Sequence, residues 1–332
     1  MDTSHTDDIE LFETLAKARD ELTAAIGSRI VGQDAVVEAM LVSLFAGGHS
    51  LFIGVPGLAK TLLVSTVADA LGLEFGRVQF TPDLMPADIT GTEVLDQDRD
   101  SGRREMRFLR GPVFTNLLLA DEINRAPAKT QAALLQAMAE GTVTAGGTAH
   151  PLQPPFLVFA TQNPIEQEGT YPLPEAQLDR FMFSIHVDYP TESEEVAIVE
   201  RTTTGDPVSI QPVLDKATLV RLQQLVRRLP TSTDVHRFAV RLARATRPKE
   251  SPVALVNEMV SWGAGPRASQ FLALGARVRA ALHGHEVPSP ADVRAVAHSV
   301  LDHRVVVSFK AESAGLTSAD IVDAVLAEVS ES

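Results

Sequence analysis

The stretch HSLFIGVPGLAKT, His49 to Thr61, decides the fold. Its first five residues have the short apolar character of a buried strand, the glycines at 54 and 57 mark a turn, and a helical pattern runs on from about Lys60 to Leu71. Within it GVPGLAKT, Gly54 to Thr61, nearly fits G-x-x-x-x-G-K-[ST], the strand-to-helix loop that cradles phosphates. The loop Gly54, Val55, Pro56, Gly57, Leu58, Ala59 and the helix start through Leu62 form the candidate cradle, with backbone N–H groups and a helix N-terminus facing the anion. Lys60 offers a point charge, and the Thr61 hydroxyl helps to hold Mg²⁺. Ala59 replaces the last glycine of the pattern; its methyl group still permits helical angles. The competing reading is a glycine-rich turn with no ligand.

About sixty residues further on, NLLLADE, Asn116 to Glu122, is an apolar strand ending in two carboxylates. Asp121 at its carboxyl end is placed to reach the Mg²⁺ of a nucleotide, and Glu122 to orient and polarise an attacking water. An acidic helix N-cap would look the same locally. The order of the two motifs, on the right elements of an alternating pattern, favours the nucleotide reading.

Working outward, buried-strand runs recur at 77–80, 113–120, 156–161 and 181–187, with helical segments between most of them, which predicts a parallel sheet covered on both faces. Residues 9–26 and 36–45 read as leading helices. Residues 91–111, with strand-like ends around a charged turn, and 141–155 read as hairpins projecting from the sheet. From Thr191 the pattern becomes helical with few strand signals. The expected architecture is an α/β nucleotide-binding domain over 1–190, with hairpin insertions, followed by an all-α domain over 191–332.

Composition narrows the class. A length of 332 residues, 45% hydrophobic and 22% charged, suits two globular domains. No apolar run approaches a membrane span, the first ten residues are acidic and polar rather than signal-like, and there is no cysteine, so thiolate chemistry and disulfides are excluded and the cytoplasm is the expected location. Residues 1–190 carry 13 Lys+Arg against 26 Asp+Glu, a balance of −13 out of the chain's −14. Such a body repels phosphate backbones, which argues against nucleic acid as a partner.

The next strand, FLVFATQNP (Phe156 to Pro164), ends in Asn163, and PEAQLDRF (Pro174 to Phe181) follows. With GVPGLAKT, LLLADEINRAPAKTQAALLQAM and the later GPRAS, these segments resemble the AAA+ ATPases of the MoxR family, from about Arg29 to the end of the chain. Alanine before the loop lysine is a feature of that family. The resemblance implies an AAA+ P-loop domain with a helical lid that binds ATP and Mg²⁺ and hydrolyses ATP. It implies that Asn163 acts as sensor 1 near the γ-phosphate, Arg180 as an arginine finger reaching a neighbouring subunit's site, and Arg267 as sensor 2 from the lid. It places VGQD, with Val31 and Gly32, against the adenine. It further implies a homo-oligomeric, hexameric ring, a von Willebrand factor A domain partner, and chaperone-like maturation of a client, including metal-cofactor insertion. Each residue has a plainer reading: an Asn-Pro turn for Asn163, an Asp179/Arg180 ion pair, a helix-start arginine for Arg267.

Arg221 to Lys249 holds eight basic residues and only Asp234 as an acid, and Arg237, Arg241 and Arg244 share a helix face, which is either solvated or docks on an acidic neighbour. His283 and His285 flank Gly284 in a turn rather than a metal site. Two other functional classes stay open: a nucleic-acid motor on the same core, against which stand the acidic balance and the presence of only two Tyr and one Trp for base stacking, and a nucleotide-gated scaffold without hydrolysis, for which Glu122 and Arg180 would be superfluous.

Overall fold

The computed structural model describes residues 3–97, 104–164, 169–204 and 208–331. Two helices, α1 (Thr3–Gly27) and α2 (Asp34–Ala46), lead into β1 (Ser50–Ile53), and α3 (Lys60–Ala70) follows the glycine turn. Then come β2 (Phe75–Gln79), α4 (Pro86–Thr90), the hairpin β3 (Gly91–Gln97) and β4 (Arg104–Arg110), β5 (Leu117–Asp121) and α5 (Ala128–Glu140). A second hairpin, β6 (Thr142–Ala145) and β7 (Thr148–Pro151), precedes β8 (Leu157–Gln162), α6 (Glu175–Leu178) and β9 (Phe183–His186). The remainder is helical: α7 (Glu192–Thr204), α8 (Lys216–Arg228), α9 (Thr233–Ala245), α10 (Ala254–Met259), α11 (Pro266–Leu282), α12 (Pro290–Ala295), α13 (Ala297–Leu301), α14 (Phe309–Ser313) and α15 (Ser318–Glu328). It also contains one short antiparallel ladder, β10 (Val260–Trp262) with β11 (Val306–Val307).

The sheet has five parallel strands in the order β2-β5-β8-β1-β9. Successive side chains point to opposite faces, so Leu51 and Phe52 enter different cores. Leu51 joins Val78, Leu118, Val158 and Phe181 beneath α5, whereas Phe52 stacks on Phe159 at 5.4 Å among residues of α1, α2, α3 and the later helices. Burying a ring of this size contributes about 1.5–3 kcal/mol. This second core is continuous from the leading helices through α8, α9 and α11, so the helical region is seated on one flank of the sheet.

Both hairpins form where the sequence predicts projections, β3 with β4 and β6 with β7; the charged turn of the first, 98–103, lies outside the described residues. Gly146 and Gly147 have φ of 55° and 80°, the pair of positive angles that a tight turn compatible with strand twist demands. Most boundaries shift by a residue or two from expectation, and three of the shifts have a visible cause. The helix predicted from Ile9 begins at Thr3, because Asp7 and Asp8 are held by Arg221 (2.6 Å) and Arg228 (2.5 Å) of α8. The strand predicted from Val113 begins at Leu117, because 111–115 close turns on themselves through Phe114 N–H to Gly111 O and Thr115 N–H to Val113 O. The strand predicted from Phe181 begins at Phe183, since Phe181 N–H still bonds Leu178 O at 3.0 Å and completes the turn after α6.

The basic face of α9 is partly consumed within the chain: Arg237 lies 3.6 Å from Asp234, Arg244 lies 3.5 Å from Glu250, and Arg241 donates to Glu331 O at 2.9 Å. His283 sits beside Glu38 at 2.8 Å, in the turn that Gly284 makes at φ 77°. Among the described residues no helix is long and apolar enough to cross a membrane, and no group of three His, Cys, Asp or Glu is placed to hold a metal.

Candidate functional site

In an open parallel sheet, ligands sit outside the carboxyl ends of the strands where the order reverses. Here β1 lies between β8 and β9, and the chain leaves β1 for the far edge at β2, so the crevice opens beyond β1, β8 and β5. The phosphate-loop residues occupy one wall of a cleft of about 440 Å³. Pro56, Gly57, Ala59, Lys60, Thr61 and Leu62 face Asp121, Glu122 and Asn163 across it.

The loop's backbone explains its glycines. A Cβ on Gly54 would stand 2.5 Å from Val187 O, so only glycine lets the chain turn past the end of β9. Ala59 has φ 53° and ψ 21°, in the left-handed region rather than at the helical angles the sequence suggested. A Cβ there crowds the adjoining peptide and costs about 1–2 kcal/mol. Lys60 opens α3, and its Nζ donates to Gly54 O and to Val55 O, the latter at 3.1 Å. Gly54 and Val55 therefore grip the lysine by their carbonyls and do not line the cleft themselves. Burial lowers the Lys60 pKa, opposed by the carboxylates of Asp121 and Glu122.

The two carboxylates are held differently. Asp121 closes β5; its Oδ1 accepts from Thr161 Oγ1 at 2.6 Å and its Oδ2 from Arg77 at 2.7 Å. Glu122 has φ 54°, makes no side-chain cap, and accepts from Gln79 Nε2 and Arg125, both at 2.8 Å. The N-cap reading of Glu122 is thereby set aside. Asn163, just beyond β8, is 7% exposed and lines the same cleft. Thr161, Arg77 and Gln79 also line it, although no sequence pattern singles them out. They are brought in by strand register, which sets Gln79 opposite Asp121.

Beside the cleft and sharing Gly57, Ala59 and Leu62 with it lies a smaller, mostly apolar pocket of about 160 Å³. Ile30, Val31, Leu58 and Leu63 line it from the sheet domain, Pro190 and Ile198 from the start of the helical region. Val31, expected against the adenine, is part of this lining. Gly32 is not part of the lining; at φ 66° it turns the chain so that Gln33 can donate to Asp188 O at 3.1 Å.

Arg180 and Arg267 line neither pocket. Arg180, at the turn after α6, donates to Leu135 O of α5 at 2.7 Å. The Asp179/Arg180 ion pair is not formed; the Asp179 carboxylate instead takes Arg267 at 3.1 Å and Arg304 at 2.8 Å.

A phosphate loop at the head of β1, two carboxylates at the end of β5, a polar residue at the end of β8 and a helical cap over a parallel sheet define the chain as an ATPase-type AAA+ protein. The sequence pattern of the ATPase family associated with various cellular activities (AAA) matches residues 49–183, and that of the AAA lid domain matches residues 253–325. Chaperone MoxR1 of Mycobacterium tuberculosis is 46% identical over 301 residues, covering 90% of this chain and 78% of that protein. Protein MoxR of Methylorubrum extorquens is 32% identical, with 84% and 85% covered. The crystal structure of a candidate ATPase from Cytophaga hutchinsonii, 37% identical, superposes with a TM-score of 0.91 over 99% of both chains. The chain belongs to the MoxR family of chaperone-related AAA+ ATPases.

Proposed function

We propose that the chain hydrolyses Mg-ATP to ADP and phosphate. The observation that carries this is the convergence of Lys60, Thr61, Asp121, Glu122 and Asn163 on one cleft. An ammonium facing a hydroxyl and a carboxylate is the donor set that suits phosphate oxygens and a hard, octahedral cation. Thr61 and Asp121 would hold Mg²⁺, which neutralises charge on the phosphates when bound. Glu122 orients the attacking water and takes its proton, Asn163 steadies that water, and the apolar pocket at Val31 receives the adenine.

Arg180 works in trans. That Arg180 does not line the cleft of its own chain favours a role in a neighbour's site, and an arginine finger elsewhere is worth ~10³–10⁵ in rate. A site completed by the next subunit calls for a closed ring with head-to-tail interfaces, and we assign a hexamer. In this reading residues 1–190 are the nucleotide-binding domain and 191–332 the lid, which presents Arg267. The work done is remodelling of a client in the cytoplasm together with a von Willebrand factor A domain partner, metal-cofactor insertion being one form of it. The MoxR1 relative, named a chaperone, supports this client-directed reading.

The deciding experiment is Glu122→Gln. The amide cannot take a proton from water but leaves Asp121 intact, so the variant binds ATP at wild-type affinity and releases no phosphate. Normal turnover by that variant removes the assignment.

A further inference from the structure

Asp179 is a junction between the two parts of the molecule. Its Oδ1 accepts from Arg304 Nε at 2.8 Å, its Oδ2 from Arg267 at 3.1 Å, and the next residue in the chain is Arg180. The two arms are unlike. The Arg304 side chain is 2% exposed, and its guanidinium also donates to the carbonyl oxygens of Asp179 (3.0 Å), Phe181 (2.6 Å), Met182 (3.3 Å) and Val300 (2.5 Å). A guanidinium with all its donors satisfied in a dry setting is a fixed post. The Arg267 side chain is 46% exposed, contacts only the free edge of the carboxylate, and is rooted on the first turn of α11, so it can swing without disturbing the backbone.

Arg267 therefore stands off the phosphate cleft, held by a weak and solvated pair, while Arg304 locks the peptide that carries Arg180. We propose that Asp179 is a positioning residue that keeps Arg267 away from the phosphates until bound ATP draws it across. The same carboxylate keeps the Arg180 segment docked to the helical region, so nucleotide state and finger position are linked through one side chain. This rests on the reading of Arg267 as the phosphate-sensing arginine. An exposed pair of this kind is easily exchanged: breaking it offsets binding by only about two- to fivefold.

The test compares wild type, Asp179→Asn, Arg267→Ala and the double variant, titrated with ATPγS and with ADP. Asparagine keeps an acceptor for Arg304 Nε but drops the charge that attracts Arg267. We expect Asp179→Asn to bind ATPγS about two- to fivefold more tightly with ADP affinity unchanged, and the gain to vanish in the Arg267→Ala background. A merely structural role would move both nucleotides together. Equal or weaker ATPγS binding by Asp179→Asn, with Arg267→Ala itself impaired, overturns the proposal alone. No effect of Arg267→Ala on ATPγS affinity removes the sensor reading and the proposal with it. Trp262, the sole tryptophan, shares a cavity with Asp179, Gly265 and Arg304, which gives a readout in the unaltered protein. Its emission should shift with ATPγS but not ADP, and not at all in Arg267→Ala; identical responses to both nucleotides in wild type sink the idea even where Asp179→Asn fails to fold.

Discussion

Thr161 serves both acids of the cleft at once: its Oγ1 donates to Asp121 Oδ1 at 2.6 Å and accepts the Glu122 N–H at 2.8 Å. One hydroxyl thus sets the carboxylate and the backbone of consecutive residues. Thr161→Val keeps the shape and removes both bonds, leaving a half-buried N–H without its partner, at the lower end of the ~1–3 kcal/mol an unpaired buried group costs. Phosphate release should fall about tenfold or more, equivalent to ~1.4 kcal/mol of lost positioning, with little change in ATP affinity. Single-turnover kinetics beside a binding titration separate the two, and an unchanged rate would mean that Asp121 needs no such support.

Ala59→Gly should stabilise the protein. The left-handed angles at residue 59 cost an L-residue about 1–2 kcal/mol, while the extra freedom glycine gives the unfolded chain recovers only ~0.4–1 kcal/mol of that. A net gain of several tenths of a kcal/mol and a small rise in Tm follow, visible by calorimetry. A lower Tm would show that the alanine methyl has packing worth more than its strain.

Lys60→Ala and Arg180→Ala should each be inactive and together regain activity. The first loses the cation that meets the phosphates in an acidic domain; the second keeps its own cleft but cannot serve its neighbour's. In a mixed ring, the intact Arg180 of the first chain faces the intact loop of the second. Phosphate release from the mixture, with sedimentation confirming co-assembly, reads this out. Full activity from a monomeric protein would disprove the shared site.

His49 makes stability depend on acid. Its Nδ1 accepts Val158 N–H at 3.0 Å and its Nε2 contacts Met138 O at 3.3 Å, an arrangement for the neutral ring. Burial lowers its pKa to about 4, only partly opposed by the Met138 carbonyl. The unfolded chain therefore takes up this proton at higher pH than the folded one. The contribution of His49 is intact above pH 6.5 or so and is lost as the pH falls from there toward about 4. Tm measured across that interval should drop, and His49→Gln should flatten the slope; the same slope in the variant would assign it elsewhere.

What could be read from the sequence was what repeats locally. The loop at Gly54–Thr61, the strand ending at Asp121 and the hairpin at 142–151 announce themselves by composition and spacing, and all lie where those patterns put them. Thr161, Arg77 and Gln79 did not, because their relevance comes from strand register across an interval of some forty residues. Ala59 leaves the helical angles its type permits, since a residue's type biases φ without fixing it, and the loop's closure here overrides the preference. The plainer reading of Asp179, an ion pair with Arg180, fails for a similar reason. Its neighbour in sequence, Arg180, turns toward α5, whereas the arginines that reach it come from 267 and 304.

The carbonyl oxygens of Asp179, Phe181 and Met182 all await Arg304. During synthesis the ribosome delivers those carbonyls long before it delivers their donor. The nascent sheet domain therefore emerges with an unfinished edge at the very peptide that carries Arg180, and that edge closes only once Arg304 has followed it. A chain cut short before Arg304 lacks the post that fixes this turn, so the peptide bearing Arg180 takes its set only after the helical region has been made.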